Sequence, residues 1–332
     1  MIIHLPKNIS YAYVQEFADH VGALCLEKND CFVLITNHTV KQLPAELKSM
    51  ALSHWTFNTD MQLSSREYHP ETHRIAIGDT YIGGDGNNQL MIAGPCAIES
   101  REQIEQSCQM LKQHGIRVLR AGCYKPRTSP YTFRGLGEDG LKLLAEMREK
   151  YGLLIATEMR DATHADQVVE YADIVQVGAK AMYDHGLLTA AGQSGKPVIL
   201  KRGFGSTLQE LVNCADFIMS CGNDQVILCE RGIRSFETNT RFTLDLCGVA
   251  WLKEHCNLPI ILDPSHAMGY AYGIGDLARA CTAMGIDGLL IETHPCPECA
   301  QSDAPQQLNH QQFCEMYKSL QPIAQAIGKT LI

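Results

Sequence analysis

Short apolar runs recur eight times from residue 90 onward and dominate the pattern of this chain. They are Leu90–Ala93, Val118–Leu119, Leu154–Thr157, Ile174–Val177, Val198–Leu200, Val226–Leu228, Ile260–Leu262 and Leu289–Ile291. Segments with helical spacing separate them, including Glu102–His114, Asp139–Tyr151, Ala162–Tyr171, Leu208–Ser220, Thr243–His255 and Asp276–Met284. Strands that alternate with helices predict parallel pairing through right-handed crossovers, and eight such units close into an α/β fold, the (β/α)8 TIM barrel. An open doubly wound sheet is the alternative.

Polar residues stand at the end of each apolar run and favour the barrel over the open sheet. They are Cys96, Arg120 with Lys125, Glu158, Gln176 with Lys180, Lys201, Glu230 with Arg231, Asp263 with His266, and Glu292. In a barrel the carboxyl ends of all strands meet at one mouth, where such enzymes hold their reacting groups. The order of residues therefore predicts a single site at that mouth.

Residues 1–60 follow a different pattern, which predicts a small N-terminal ferredoxin-like α+β domain. The predicted order is βαββαβ, with strands at Ile2–Leu5, Ala23–Leu26, Cys31–Ile35 and His54–Phe57 and helices at Tyr11–Val21 and Leu43–Met50. Residues 61–89 are expected to form a linker with a β-hairpin at Arg74–Ile77 and Thr80–Ile82, placed to plug the bottom of the barrel. The catalytic barrel is predicted to occupy residues 90–332.

Charge and hydropathy exclude several classes of protein. The 332 residues include 28 basic and 37 acidic ones, with no block of Lys and Arg that would follow a nucleic-acid backbone. No apolar run approaches the roughly 20 residues of a membrane span, and the N-terminus lacks the pattern of a secretion signal. The 14 cysteines are scattered, which suits buried thiols in a reducing compartment. We therefore expect a soluble, cytoplasmic protein that binds neither nucleic acid nor membranes.

The loop that follows the second apolar run predicts phosphate binding. Its sequence, Lys125-Pro126-Arg127-Thr128-Ser129-Pro130-Tyr131, combines two cations with two prolines that fix φ and hold the donors in place. Further cations fall at other strand ends, namely Arg120, Lys180, Lys201, Arg202, Arg231 and Arg234. An acidic protein that gathers so much positive charge in one concavity is expected to bind phosphorylated substrates. For Arg202 and Arg234 the alternative is pairing with local acids such as Glu230 and Glu237.

Four side chains near the strand ends form a mixed nitrogen, oxygen and sulfur donor set. They are Cys96, His266, Glu292 and Asp303. A thiolate, an imidazole and two carboxylates suit a divalent transition ion such as Mn, Fe, Co or Zn. Cys296 and Cys299 lie between two of these donors and are interpreted as ordinary loop thiols.

Six separated motifs occur together in this chain. They are Gly94-Pro95-Cys96-Ala97-Ile98-Glu99-Ser100, Lys125–Tyr131 followed by Phe133-Arg134-Gly135-Leu136-Gly137, Leu200-Lys201-Arg202-Gly203, Cys229-Glu230-Arg231-Gly232-Ile233-Arg234, Asp263–Ala267, and His294-Pro295 leading to Ser302-Asp303 with Gln306-Gln307. From about residue 64 to the C-terminus, the chain resembles 3-deoxy-D-arabino-heptulosonate-7-phosphate (DAHP) synthases of the Iβ type. The resemblance implies a metal-dependent transferase that condenses phosphoenolpyruvate with erythrose 4-phosphate at the entry to the shikimate pathway and aromatic amino acid biosynthesis.

The resemblance also implies roles for individual residues. The metal ligands would be Cys96, His266, Glu292 and Asp303, and Mn would support activity in vitro. Phosphoenolpyruvate would contact Arg120, Lys125, Lys201 and Arg231, with Lys180 standing where the family usually has a phosphate-binding Arg. Erythrose 4-phosphate would contact Arg127 and Thr128. The catalytic residues would be Lys125, Glu158 and His266.

The family further implies that residues 1–60 act as a feedback module for Phe or Tyr within a homotetramer, although an oligomerising role is the alternative. Two stretches depart from the family pattern, Gly178–Asp184 and Gly269–Tyr272. Because of these departures, the alternative remains that the chain is a paralogue that makes a related 3-deoxy or amino-deoxy sugar acid. A sister enzyme that uses arabinose 5-phosphate is disfavoured by Arg127, where it typically has Asn. A non-catalytic effector-binding barrel is disfavoured by the intact metal-ligand set.

Overall fold

The structure, a computed structural model, describes residues 1–125, 129 and 131–332. In chain order its strands are β1 (Ile2–Pro6), β2 (Leu24–Glu27), β3 (Cys31–Ile35), β4 (Ser53–Trp55), β5 (Arg74–Ile77), β6 (Thr80–Gly83), β7 (Asn88–Gly94), β8 (Val118–Arg120), β9 (Leu154–Met159), β10 (Ile174–Val177), β11 (Val198–Lys201), β12 (Val226–Glu230), β13 (Ile260–Leu262), β14 (Gly288–Glu292) and β15 (Thr330–Leu331). Its α-helices are α1 (Tyr11–Val21), α2 (Arg101–Gln113), α3 (Glu138–Tyr151), α4 (Ala165–Tyr171), α5 (His185–Gln193), α6 (Leu208–Ser220), α7 (Leu246–His255), α8 (Pro264–Met268), α9 (Ile274–Ala283) and α10 (His310–Ala326).

Strands β7 to β14 form a closed barrel. Each pairs in parallel with the next in chain order, and β14 pairs with β7 over the register Gly288↔Leu90 to Glu292↔Gly94. The predicted (β/α)8 barrel is therefore confirmed, and the open sheet is wrong. None of the helices in the described part of the chain is long and apolar enough to cross a membrane.

Side chains on the inner face of the barrel change from apolar to polar along strands β8 to β14. The apolar ones form one buried cluster with Leu90, Ile92, Val118, Ala156, Ile174, Ile199, Ile227, Cys229, Ile261 and Leu290. Two residues after a member of this cluster, the chain reaches Arg120, Glu158, Gln176, Lys201, Arg231, Asp263 and Glu292. Because alternate side chains of a strand share a face, these polar groups point into the same mouth.

The hairpin of β5 and β6 closes the other end of the barrel. Its strands pair antiparallel, and Ile75, Ile77 and Ile82 belong to the same buried cluster as the inward apolar side chains of the barrel strands. Gly78 turns the hairpin with φ 57°, a left-handed conformation that glycine adopts without steric cost. The predicted plug at the barrel bottom is therefore confirmed.

The N-terminal strands form an antiparallel sheet of their own, in the order β2-β3-β1-β4. Helix α1 covers it, beginning where Ser10 accepts a hydrogen bond from the Tyr13 N–H. The predicted helix at Leu43–Met50 is wrong, because only the 3-10 turn Ala45–Leu47 forms there. Pro44 precedes that turn and supplies no side-chain cap, so the first backbone N–H groups of a longer helix would have no capping partner.

Asp216 on α6 joins the N-terminal sheet to the barrel. Its carboxylate accepts hydrogen bonds from the backbone N–H groups of Gln62, Leu63 and Ser64, at 2.7, 3.1 and 2.8 Å. Lys28 adds an ion pair of 2.5 Å to Asp224 of the barrel. These contacts hold the linker and the edge of the N-terminal sheet against the outer helices.

Candidate active site

Most of the predicted site residues line one cavity of about 270 Å³ at the carboxyl ends of the strands. The predicted residues around it are Arg120, Lys125, Glu158, Lys180, Lys201, Arg231, Arg234, His266 and Asp303, joined by Phe204, Arg241 and Phe242. Arg127 and Thr128, the predicted contacts of the aldose phosphate, lie outside the described residues. The structure thus brings together residues separated by almost the whole length of the barrel sequence.

Cys96, Glu292 and Asp303 each offer one ligand atom, and these three atoms lie within 4.8 Å of one another. The Cys96 thiol is 3.3 Å from Asp303 Oδ2. Gly94, two residues before the cysteine, has φ 146°, and a Cβ there would lie 2.2 Å from the Arg120 carbonyl oxygen. Only glycine allows this close approach of β7 and β8. Gly94 therefore lets the chain leave β7 and enter the loop that carries Cys96.

His266, the fourth predicted ligand, faces the same cluster from α8. Its Nε2 lies 3.5 Å from Glu292 Oε1 and 4.0 Å from Asp303 Oδ2. Its Nδ1 lies 2.7 Å from the buried Asp263 carboxylate, which orients the ring so that Nε2 points to the other donors. Asp263 also accepts the side-chain N–H of Lys201 at 2.8 Å.

The electrostatics of the cluster fit a divalent cation. Burial, with the nearby Glu292 charge, raises the pKa of Cys96 to about 12. Burial opposes ionisation of Glu292 as well, but His266 and Arg120 outweigh it and hold the pKa of that carboxyl below its usual value. A buried thiol and two carboxylates this close repel one another once ionised, and a bound cation removes that cost.

Three of the predicted substrate cations are already paired with acidic or sulfur groups. Arg120 donates to Glu292 Oε1 at 2.5 Å, and the Lys125 ammonium lies 3.2 Å from the Cys96 sulfur. Lys201 is paired with Asp263 as described above. These cations therefore line the cavity and also fix the side chains of the predicted metal ligands. We call those ligands, Cys96, His266, Glu292 and Asp303, the donor cluster.

Arg231 differs from those three cations. It is 4 % exposed, and its Nη1 has no hydrogen-bond partner among the described residues. Its guanidinium lies 4.5 Å from the ring centroid of Phe242, and burial lowers its pKa. A buried guanidinium donor without a partner is costly, which makes Arg231 a candidate anion-binding residue.

Arg202 and Arg234 have different surroundings. Arg202 donates to Glu230 and to Asp245, both at 2.9 Å, so the alternative of local pairing is confirmed for this residue. Arg234 lies over the ring of Phe204 at 4.6 Å and lines the cavity; its predicted pairing with Glu237 is not among the ion pairs of the described residues.

Arg241 lines the cavity and is linked through Gln306 to Glu292, although neither Arg241 nor Gln306 was a predicted site residue. Arg241 donates to Gln306 Oε1 at 2.6 Å, and Gln306 donates in turn to Glu292 Oε2 at 2.5 Å. Arg241 lies in the long segment between β12 and α7, far from a strand end. The pattern of polar residues at strand ends therefore had no signal for it.

Glu158 lines the cavity from the end of β9. The side-chain amide of Gln176, on the neighbouring strand β10, donates to Glu158 Oε2 at 3.4 Å. The carboxylate is half-buried and is not among the ion-paired groups of the described residues. Glu158 therefore offers the cavity a carboxylate with acceptor capacity beyond its contact with Gln176.

The interpretation of Cys296 and Cys299 as ordinary loop thiols is wrong. The structure joins them in a disulfide, in the segment between β14 and α10 that also carries Asp303. The 3-10 turn Pro297–Cys299 brings the two residues together, with Cα atoms 5.4 Å apart. Two cysteines three positions apart predict proximity only when the intervening turn is known.

This chain matches one sequence family and is similar to known proteins that include heptonate aldolases and octonate aldolases. Residues 61–328 match the DAHP synthetase I family. Phospho-2-dehydro-3-deoxyheptonate aldolase of Thermotoga maritima is 45% identical over 267 residues, which cover 80% of this chain and 78% of that protein. A 2-dehydro-3-deoxyphosphooctonate aldolase of Methylobacillus flagellatus is 36% identical over 237 residues, covering 65% of this chain and 84% of the relative.

Two solved structures from Thermotoga maritima are similar to this one. The crystal structure of its phospho-2-dehydro-3-deoxyheptonate aldolase superposes with a TM-score of 0.81 at 38% identity, covering 100% of this chain and 99% of that one. A truncated form of 3-deoxy-D-arabino-heptulosonate 7-phosphate synthase gives a TM-score of 0.77 at 41% identity, covering 82% of this chain and all of the other. The likeness therefore extends over the N-terminal sheet as well as the barrel.

Proposed function

This chain belongs to the DAHP synthetase I family, and we propose that it condenses phosphoenolpyruvate with D-erythrose 4-phosphate and water to give 3-deoxy-D-arabino-heptulosonate 7-phosphate and phosphate. This is the entry reaction of the shikimate pathway to aromatic amino acids. The observation that carries the proposal is the buried Arg231 guanidinium, whose Nη1 has no hydrogen-bond partner among the described residues and which lines a cavity with His266 and Asp303 of the donor cluster. One cavity thereby offers an anion site beside a cation site.

The cations of the cavity bind the phosphoenolpyruvate in this proposal. Arg231 and Lys201 stand at the ends of β12 and β11, which are neighbours in the barrel. The Lys125 ammonium lies next to the Cys96 sulfur. Together they hold the carboxylate and phosphate of the substrate and orient its methylene carbon toward the aldehyde. Cations fixed in advance also stabilise the negative charge that moves to the departing phosphate.

The donor cluster would hold a divalent ion through Cys96, His266, Glu292 and Asp303. Such an ion supplies Lewis-acid polarisation of a carbonyl oxygen when bound. Glu158, half-buried and without an ion-pair partner among the described residues, is the proposed acceptor for a proton of the water that adds to the former enol carbon. This mixed nitrogen, oxygen and sulfur donor set suits Mn, Fe, Co or Zn.

A related aldose phosphate is the competing substrate. The chain is similar to 2-dehydro-3-deoxyphosphooctonate aldolases, and Lys180 stands in the cavity at a position where a phosphate-binding Arg is usual in the family. Higher identity over a longer alignment to the heptonate aldolase favours erythrose 4-phosphate. A cytoplasmic location, predicted from the sequence, remains part of this proposal.

The reaction is tested by following the loss of phosphoenolpyruvate absorbance with several aldose phosphates in the presence of Mn(II). We expect erythrose 4-phosphate to give the highest kcat/KM and arabinose 5-phosphate to give little turnover. A preference for a five-carbon phosphate would replace the proposed substrate, and no turnover with any aldose phosphate would favour a non-catalytic barrel.

Residues 1–60 are the proposed regulatory module, and we expect Phe or Tyr to inhibit the full-length protein. Inhibition requires that the amino acid bind two arrangements of the protein with different affinity, and a homotetramer would supply the partner surface. A variant lacking residues 1–60 is expected to keep its activity and lose the inhibition. Titration of both amino acids against both proteins measures this; equal sensitivity would place the effector site in the barrel.

A further inference from the structure

The Cys296–Cys299 disulfide lies between two of the proposed metal ligands. Glu292 ends β14 and Asp303 follows eleven residues later, and the disulfide ring closes within this segment. Cys299 is exposed and Cys296 is half-buried, so a reagent in solvent reaches the bond. The other twelve cysteines of the chain are free thiols.

The segment around the disulfide is tied to the Cys96 loop by polar contacts. Glu99 accepts a hydrogen bond from the Gln301 N–H at 2.9 Å and lies 3.5 Å from the buried His294 ring. His294 Nδ1 in turn accepts the Cys296 N–H at 3.0 Å. A change at the disulfide is therefore passed to the contacts that hold two ligand-bearing loops together.

Asp303 depends on these neighbours for its conformation. It has φ 49°, the one left-handed non-glycine backbone among the described residues, and such a conformation persists only where the surroundings impose it. The side chain of Gln307 donates to the Ser302 carbonyl oxygen and accepts the Cys96 N–H, both at 2.9 Å. The position of the Asp303 carboxylate is thus set by the packing of the whole segment.

We propose that Cys296 and Cys299 are a reversible redox site, at which reduction by a dithiol loosens the segment that carries Asp303 and weakens binding of the divalent ion. The disulfide restricts the segment, because closing a ring removes conformations that the open chain would visit. Reduction restores those conformations, so the ligand geometry must be ordered at the moment of metal binding. This inference rests on the proposed metal site.

The exchange balances in electrons and protons. A thiolate of the dithiol attacks the exposed Cys299 sulfur, and the Cys296 sulfur leaves with the electron pair and takes a proton. The second thiol of the reagent then attacks the mixed disulfide, releasing Cys299 as a thiol and the reagent as its cyclic disulfide. The protein gains two electrons and two protons, and the dithiol loses them.

The test uses the full chain, with dithiothreitol as the dithiol and Mn(II) as the metal. After reduction the reagent is removed by anaerobic gel filtration, because it binds metals itself. The number of solvent-accessible thiols is then counted, and the Mn(II) dissociation constant is measured from the free-ion electron paramagnetic resonance signal. We expect two additional accessible thiols and a dissociation constant about tenfold higher, the lower end of the range for losing a contact outside the ligand shell.

Three variants make the assignment specific. C296S/C299S is expected to bind Mn(II) as weakly as the reduced protein and to be unchanged by dithiothreitol, and C299S alone should do the same if the double variant folds poorly. C247S, which removes an exposed thiol on α7, should respond as the unaltered protein does. Equal Mn(II) affinity in the oxidised and reduced protein, or a response that survives in C299S, would overturn the proposal. Both readouts are made without substrate, so failure of the proposed condensation is distinguished from failure of the switch.

Discussion

Replacing Cys96 by Ala is expected to lower kcat/KM by at least about 100-fold, the upper end of the cost of losing a contact outside the ligand shell. In the proposed metal site the thiol is the soft ligand, and it lies 3.3 Å from Asp303 Oδ2 and 3.2 Å from the Lys125 ammonium. The fold should persist, because Cys96 is at the barrel mouth and not in the apolar cluster at its bottom. Chelation of the unaltered protein should abolish turnover in the same way, and Mn(II) should restore it.

Cys108→Ala is the matched control for that variant. Cys108 is also a buried thiol, but it lies on α2 and does not belong to the group of ligand atoms that Cys96 forms with Glu292 and Asp303. We expect this variant to keep its activity and its Mn(II) affinity. Steady-state kinetics with calorimetric Mn(II) titration measures both effects. Full turnover in excess chelator by metal-free protein would show that the donor cluster has no role in catalysis.

Much of the site could be predicted because the carboxyl ends of all barrel strands lie at one mouth, so residues at the ends of the apolar runs come together in space. Each inward residue at a strand end follows an inward apolar residue by two positions, as Lys201 follows Ile199 and Asp263 follows Ile261. A sequence pattern with this period therefore identifies both the core and the mouth.

The pairing of charges could not be predicted in the same way. Arg120, Arg202 and Arg231 all fall near strand ends, yet two are neutralised by buried carboxylates and one is not. The difference depends on distances of a few ångströms between residues more than twenty positions apart. Arg241, Phe242 and the Cys296–Cys299 disulfide belong to irregular segments, whose paths follow from tertiary contacts and not from a repeating pattern.

The second large effect concerns Arg231, and its direction differs between activity and stability. Arg231→Met should lower kcat/KM for phosphoenolpyruvate by about 10- to 100-fold, which corresponds to losing one charge-assisted hydrogen bond of about 1.5–3 kcal/mol. The free energy of unfolding should stay the same or increase, because the substitution removes a buried charge that has no ion-pair partner among the described residues and keeps an apolar side chain of similar length.

Arg202→Met provides the opposite case at equal burial, since both arginines are 4 % exposed. Arg202 is paired with Glu230 and Asp245, so its removal leaves buried carboxylate charge uncompensated and should cost about 3–5 kcal/mol of folding free energy. Urea unfolding of both variants, with phosphoenolpyruvate binding followed by the shift in melting temperature, separates the two roles. Among the described residues Arg231 lines the cavity with an unpartnered Nη1, whereas Arg202 is ion-paired and outside the cavity lining, so only Arg231→Met should lose the ligand-induced shift while remaining stable. A stable Arg231→Met variant that still binds phosphoenolpyruvate normally would refute the anion site.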